Sequence, residues 1–377
     1  MKRKLTVLML LCLLLTGCAG RQVEEELLAI VLSVDQTEEK DIAIAVKVPA
    51  NASASGNTEN KEVSQDGYLL LKAVGRSFTD AVSMLNATTP RRLNFSQVRE
   101  VVIGDAAARR EDFQRILRQI DAIPRFRCSA AVIICQGEAL AFAERQKPYV
   151  GMRLSRYAEN TLANYAGKGF TPSTDLCAGL RDLGYGFQDP LFILGALNDF
   201  SNESPVDEQN SLNAYAGRLP RKSMEAVEMF GAAATNGVCV SGFLSGYEMA
   251  LIHLLGGHVE ALFLEENGTQ LQITAQRRAK LNVNISARPI QLSVCLSCEA
   301  RFPPGDPPDA AAVQDRLRQD ILALIRHMQR LGCDGLGFGS VAVRQFFTVQ
   351  AWEELGWRTL YEQAEPTVQV TVRLREK

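Results

Sequence analysis

A multi-domain α+β architecture is what this sequence predicts, and three observations carry the prediction. Up to residue 145, strand-like runs alternate with helix-like ones, which places helices against a sheet. From residue 226 onward strand follows strand, relieved by one long amphipathic helix. The chain is 377 residues long, more than one core accommodates, so two or three domains are expected.

The first element is not part of that fold. MKRKLTVLMLLCLLLTGCAG opens with Lys2, Arg3 and Lys4, followed by an apolar run from Leu5 to Leu15. A spanning helix needs about 20 apolar residues, so this run has the length of a secretory signal instead. Leu15-Thr16-Gly17-Cys18 then has the form of a bacterial lipobox. A thiol can carry a diacylglyceryl thioether, and two acyl chains anchor stably where one binds marginally. The expectation is a signal peptide at 1–17, Cys18 as the lipidated first mature residue, and an extracytoplasmic remainder. Loss of the three leader cations moves the formal net charge from −2 to −5, which disfavours nucleic acid as a partner.

The elements follow in order. Residues 27–34 (LLAIVLSV) read as one strand, and 42–48 (IAIAVKV) alternate as a second, with a charged hairpin loop between them. Residues 51–66 are a small-polar loop before a strand at 68–74. Ser77 and Asp80 have capping-box spacing and open a helix through Asn86. Strand 98–104, helix 106–120, strand 129–135 and helix 138–145 come next, then helices at 153–165 and 173–183 within a mixed stretch. Residues 199–213 are polar and contain Pro205, the expected linker between an N-terminal α/β domain (18–198) and a C-terminal β-rich α+β domain (214–377). There, 226–235 and 238–244 read as a hairpin over Asn236-Gly237. A helix 245–255, four strands (259–264, 269–276, 280–287, 289–299), a helix 311–331 and a strand 367–374 complete the chain.

Catalytic chemistry finds no footing. Cys295 and Cys298 form a CxxC, but on an alternating strand their side chains face opposite ways and cannot share a metal. Gly335, Gly337 and Gly339 resemble a phosphate loop, yet a helix precedes them and strand-like VAVRQFF follows, the reverse of a dinucleotide fingerprint. They read as a tight structural connection, with Trp352 and Trp357 as nearby packing anchors. Three histidines form no HExxH, and His253 and His258 diverge on a helix. Glu265-Glu266 reads as a solvated turn. After Cys12 goes with the leader and Cys18 is lipidated, seven cysteines remain. Their odd number reads as no disulfide framework, and Cys128, Cys135, Cys177, Cys239 and Cys333 read as small core residues.

Six stretches in order resemble the spore germination receptor C-subunit lipoproteins, the Ger(x)C family. They are the lipobox with LAIVLSVD close behind, SFTDAVSMLN at 77–86, PRRLNFSQVREVVIG at 90–104, Gly237 to Leu244, DGLGFGSVAVRQF at 334–346, and WEELGW at 352–357. The chain departs from that pattern at Ala19-Gly20, where the family usually has Trp-Asp, and at 94–97. The resemblance implies a multi-domain fold of mixed sheets flanked by helices, without catalysis, cofactor or metal. It also implies two integral membrane partners, the A- and B-type receptor subunits, in the spore inner membrane. A solute-binding lipoprotein of a transporter is the alternative, disfavoured because two βα lobes are not repeated. An exported hydrolase would need a nucleophile or metal set that the sequence does not show.

Overall fold

The computed structural model describes residues 25–39, 41–49, 67–148, 152–198, 212–220, 226–258 and 261–377. The leader, Cys18, the 51–66 loop and all of the linker except residues 212 and 213 lie outside the described residues. The architecture is multi-domain α+β with mixed sheets flanked by helices.

The expected first strand is two strands in different sheets. β1 (Glu26–Leu28) pairs in parallel with β5 (Arg92–Asn94), a short strand the alternation did not reveal. β2 (Val31–Gln36) enters the large sheet, because Ile30 turns to donate its N–H to Lys47 and leaves β1 behind. β3 (Ile42–Pro49) and β4 (Tyr68–Gly75) extend the sheet antiparallel. β6 (Glu100–Gly104), β7 (Ala131–Gln136) and β8 (Leu191–Leu197) run parallel to β2. β9 (Val227–Thr235) and β10 (Val240–Leu244) close it as a hairpin, giving the order β10-β9-β8-β7-β6-β2-β3-β4.

The strand order runs across the expected division at 199–213. The hairpin of β9 and β10, placed with the C-terminal domain by sequence, pairs with β8 and belongs to the N-terminal sheet. Buried Glu228 explains the attachment: its carboxylate accepts from Asn198 Nδ2 at 2.8 Å and from Gly217 N at 2.6 Å, pinning residues on both sides of the linker. The hairpin turn also differs, since Asn236 to Cys239 make a four-residue loop closed by Asn236 N–H to Cys239 O.

Helices cover both faces. α1 (Phe78–Thr88) is capped by Ser77. The expected 106–120 helix is two, α2 (Asp105–Ala108) and α3 (Phe113–Asp121), broken where Asp112 takes the N-cap position and pairs with Arg110 and Arg115. With α6 (Leu176–Tyr185), α1 and α3 pack Phe78, Leu85, Phe113, Leu117 and Leu176 against Leu32, Val101, Val132 and Phe192. The opposite face meets α4 (Ala139–Arg145) and α5 (Leu154–Gly167), through Phe142, Leu154 and Ala158 on Val31, Val102 and Ile133. Strands buried on both faces read as unbroken apolar runs, which is why LFILGAL at 191–197 carried no alternation to find.

The second sheet is built on β14 (Gln291–Phe302). β12 (Thr269–Ala275) and β13 (Lys280–Asn284) flank one side of it, β11 (Leu262–Glu266) pairs β12, and β15 (Glu365–Glu376) runs parallel along the other side. The hydrophobic effect selects one face: Leu292, Val294, Leu296, Cys298 and Ala300 are buried, while Gln291, Cys295 and Arg301 are exposed. α7 (Gly246–Gly256), opened by a full Ser245–Glu248 capping box, and α8 (Ala310–Arg330) cover the buried face. The stretch expected to be strand-like after Gly339 is helical: α9 (Phe338–Ala342) and a 3₁₀ turn at 343–345, then α10 (Val349–Leu355) and α11 (Trp357–Glu362).

Candidate functional site

Where the first sheet meets the second unit, a buried carboxylate organises the contact. Asp334 follows α8 and is 3% exposed. Its Oδ1 accepts from the N–H groups of Gly337 and Phe338 at 3.1 and 2.9 Å; its Oδ2 accepts from Gly339 N at 2.6 Å and Trp357 Nε1 at 3.2 Å. The glycines are required by geometry: Gly337 sits at φ 79°, and a Cβ on Gly339 would stand 2.5 Å from Phe187 O. The loop therefore binds its own aspartate, and it is the structural connection expected from sequence.

The same aspartate reaches across. Asp334 N–H donates to Asp189 Oδ2 at 2.8 Å, and Asp189 N–H donates to Asp334 O at 3.1 Å. Asp189, immediately before Pro190 and β8, is paired with Arg358 of α11 at 2.8 Å. Burial pushes Asp334 up to about 6, against its backbone donors, and burial likewise raises Asp189 against Arg358. Around this joint the rings of Trp352 and Trp357 meet at a tilt with centroids 5.7 Å apart, Trp357 meets Tyr361 at 5.9 Å, and Phe187 meets Trp352 edge-on at 5.9 Å. The two tryptophans are anchors, as expected, and they anchor one unit to the other.

Asp35, the last residue of LAIVLSVD, has a similar task inside the first unit. Its two carboxylate oxygens accept from the N–H groups of Ala139 and Leu140, each at 2.7 Å, capping α4 from 104 residues away in sequence. A Cβ at Gly104 would stand 2.1 Å from Asp35 Oδ1, so the glycine makes room for the cap. Burial raises the Asp35 carboxyl and, with Asp35 and Asp105 nearby, pushes the Cys135 thiol up to about 12. A thiol so displaced is no nucleophile.

A polar cleft of about 760 Å³ lies between α7, α8 and the turn at Asn267-Gly268. Most of its charged groups are engaged with one another. Tyr247 donates to Asp320 Oδ2 at 2.5 Å, and Glu248 pairs with His327 at 2.6 Å while its other oxygen completes the α7 cap. Arg316 lies against Glu265 O, Glu266 and Asp320, so the carboxylate pair read as a solvated turn is a strand end held by an arginine.

The cysteines need one correction. Cys128 and Cys177 form a disulfide with Cα atoms 5.3 Å apart, joining the loop before β7 to α6; a single pair at a spacing of 49 gives no pattern to read. Cys295 is exposed and Cys298 buried, on opposite faces as expected. His258 lies beyond the α7 cap at Gly257 rather than on the helix, and His253 Nε2 is bonded to Thr171 O at 2.9 Å. Among the described residues no group of three or more His, Cys, Asp or Glu is placed to hold a metal, and no helix is long and apolar enough to cross a membrane.

Residues 20–193 match the family model for the spore germination protein N-terminal domain, and residues 231–377 match that for the spore germination B3/GerAC-like C-terminal domain. The chain is 25% identical over 133 residues to YfkR of Bacillus subtilis (strain 168), a protein whose name assigns it to spore germination. That alignment covers 35% of this chain and 34% of YfkR, so the chain spans about a third of the length of that curated relative. Among solved structures, the crystal structure of the GerBC protein superposes with a TM-score of 0.47 at 12% identity, covering 91% of this chain and 96% of that one.

Proposed function

Because this chain belongs to the GerAC-like family of spore germination proteins, with both domains matched in order, we propose that it is the lipid-anchored C subunit of a spore nutrient germinant receptor. In this reading it sits on the extracytoplasmic face of the spore inner membrane and works without catalysis. Its partners are the integral membrane A- and B-type subunits. The lipobox ending at Cys18 carries the tether, since a thiol at that place after that leader has no other evident purpose. The Asp334 joint supports a role in assembly: the reciprocal bonds between Asp334 and Asp189, with Arg358 paired to Asp189, hold one unit against the other and offer a partner one rigid body.

Cell fractionation tests the tether. Wild-type chain is expected to stay in the membrane fraction through a wash at about 0.5 M salt, and Cys18→Ala to be released by it, with unchanged circular dichroism. Retention of the Cys18→Ala chain through that wash would refute the anchor. Co-purification from detergent extracts tests the partners: A- and B-type subunits should accompany the tagged wild-type chain.

A further inference from the structure

The parallel strands of the first sheet begin along one line: Val31 lies opposite Glu100, Glu100 opposite Ala131, and β8 starts beside β7. Whatever precedes these residues projects from one end of the sheet. The chain itself emerges there, with Glu26 of β1 paired to Arg92 of β5. Two loops beside this exit carry four arginines. Arg91 and Arg92 follow Pro90; Arg125 and Arg127 flank Phe126. The first three are exposed and Arg127 half-buried, and none of the four is ion-paired among the described residues.

The second loop is held firmly for a surface loop. Phe126 stacks on Phe95 with centroids 6.2 Å apart, Arg127 N–H donates to Phe95 O at 3.3 Å, and Cys128 is tied to Cys177. Arg125 is kept at φ 61°, a left-handed conformation that side-chain-bearing residues rarely adopt. Strain, a disulfide and a ring stack together hold this loop in place, with Arg125 exposed and Arg127 donating its Nε–H to Ser129 Oγ at 3.0 Å. Arg99, beside Arg127, is already neutralised by Glu159 at 2.6 Å.

The same end is unusually apolar at its rim. Of the seven large hydrophobic side chains exposed among the described residues, four are here: Tyr185 (66%), Val238 (45%), Phe347 (105%) and Val349 (67%). Tyr185 and Phe347 adjoin the start of β8 through Phe187, Trp352 and Phe346, and Val238 tops the turn after β9.

From Cys18 to Glu25 the chain advances seven residues, at most about 24 Å when fully extended. A diacyl group on Cys18 therefore keeps the headgroup layer within about 24 Å of Glu25, beside the β1–β5 pair that carries Arg92. We infer that this end of the first sheet is a docking surface for an anionic lipid bilayer, with Arg91, Arg92, Arg125 and Arg127 meeting headgroup phosphates and the apolar rim meeting the interface. The inference rests on the Cys18 tether for its geometry, but its chemistry is testable without it. Cations near an anionic surface are drawn to it within a Debye length, which orients a body that the tether has already brought close.

The test uses the mature chain carrying Cys18→Ala, so that no acyl group contributes. It is sedimented with vesicles of phosphatidylcholine alone, or with about one-third phosphatidylglycerol to supply the anionic surface. Binding is expected only to the anionic vesicles and lost at about 0.5 M salt. The quadruple variant Arg91→Gln, Arg92→Gln, Arg125→Gln, Arg127→Gln, with an unchanged melting temperature, should bind at least about tenfold more weakly. Equal binding to neutral vesicles, no binding to anionic ones, or undiminished binding of the variant would each overturn the docking surface, while cell fractionation judges the tether separately. Loss of nutrient response in the variant without any vesicle effect would point to an acidic protein partner, and would overturn the lipid assignment as well.

Discussion

The two sheets of this molecule obey different burial rules. In the first, neighbouring residues of one strand are both buried: Ile133 and Ile134 are 0% exposed, one under α4 and the other under α3. In the second, Leu296 is buried while its neighbour Cys295 is exposed, because helices cover only one face. The first sheet is thus a core element whose useful surfaces are its ends. The second keeps a broad polar face open to solvent, with Thr367, Gln369 and Thr371 of β15 on it. The Asp334 joint binds one to the other.

Breaking the joint should have the largest effect. Asp334→Ala strands four buried donors, while the backbone N–H that reaches Asp189 is kept, so unfolding free energy should fall by about 4 kcal/mol or more. Denaturant titration measures it, and a loss below about 1 kcal/mol would mean the joint is incidental. The pH profile sharpens the same point. Folded Asp334 titrates near 6, above the ordinary 3.8 of an unfolded aspartate, so between those values the folded state holds a proton the unfolded chain has released. The stability from this group is therefore full below about 4 and is lost as pH rises through about 6. Replacement by Asn should flatten that segment of the stability profile.

The burial rule is tested by neighbouring alanines. Ile133→Ala and Ile134→Ala should each cost about 3 kcal/mol, and Leu296→Ala a similar amount. Cys295→Ala should cost under about 0.5 kcal/mol. A near-zero cost at either isoleucine would contradict two-sided burial. The smallest effect is expected from a nick. Protease should cut first within 199–211, yet the fragments should stay together, because β9 pairs with β8 across the cut. Fragments separating in native buffer would restore the boundary that sequence alone placed there.

This contrast also explains what the sequence revealed. β14 and β15 alternate, and each was legible residue by residue. β8 is apolar throughout and was hidden for that reason. The joint was half visible: glycines one, three and five residues after Asp334 announced a tight loop, but nothing local announced that Asp189 and Arg358 would meet it. Asp35 was invisible for the same reason, since its partners lie 104 residues on. The six family stretches gave the identity without the contacts. Three of them prove to be a helix cap supplied from afar, the Asp334 loop and the tryptophan anchors.

The central claim is that this protein supports germination while tethered through Cys18. Spores carrying the Cys18→Ala chain, at an abundance matched by immunoblot to wild type, decide it through their response to nutrient. The account predicts that germination is abolished or strongly reduced, because an untethered subunit loses the effective concentration that confinement beside its membrane partners provides. A full response at matched abundance would contradict it.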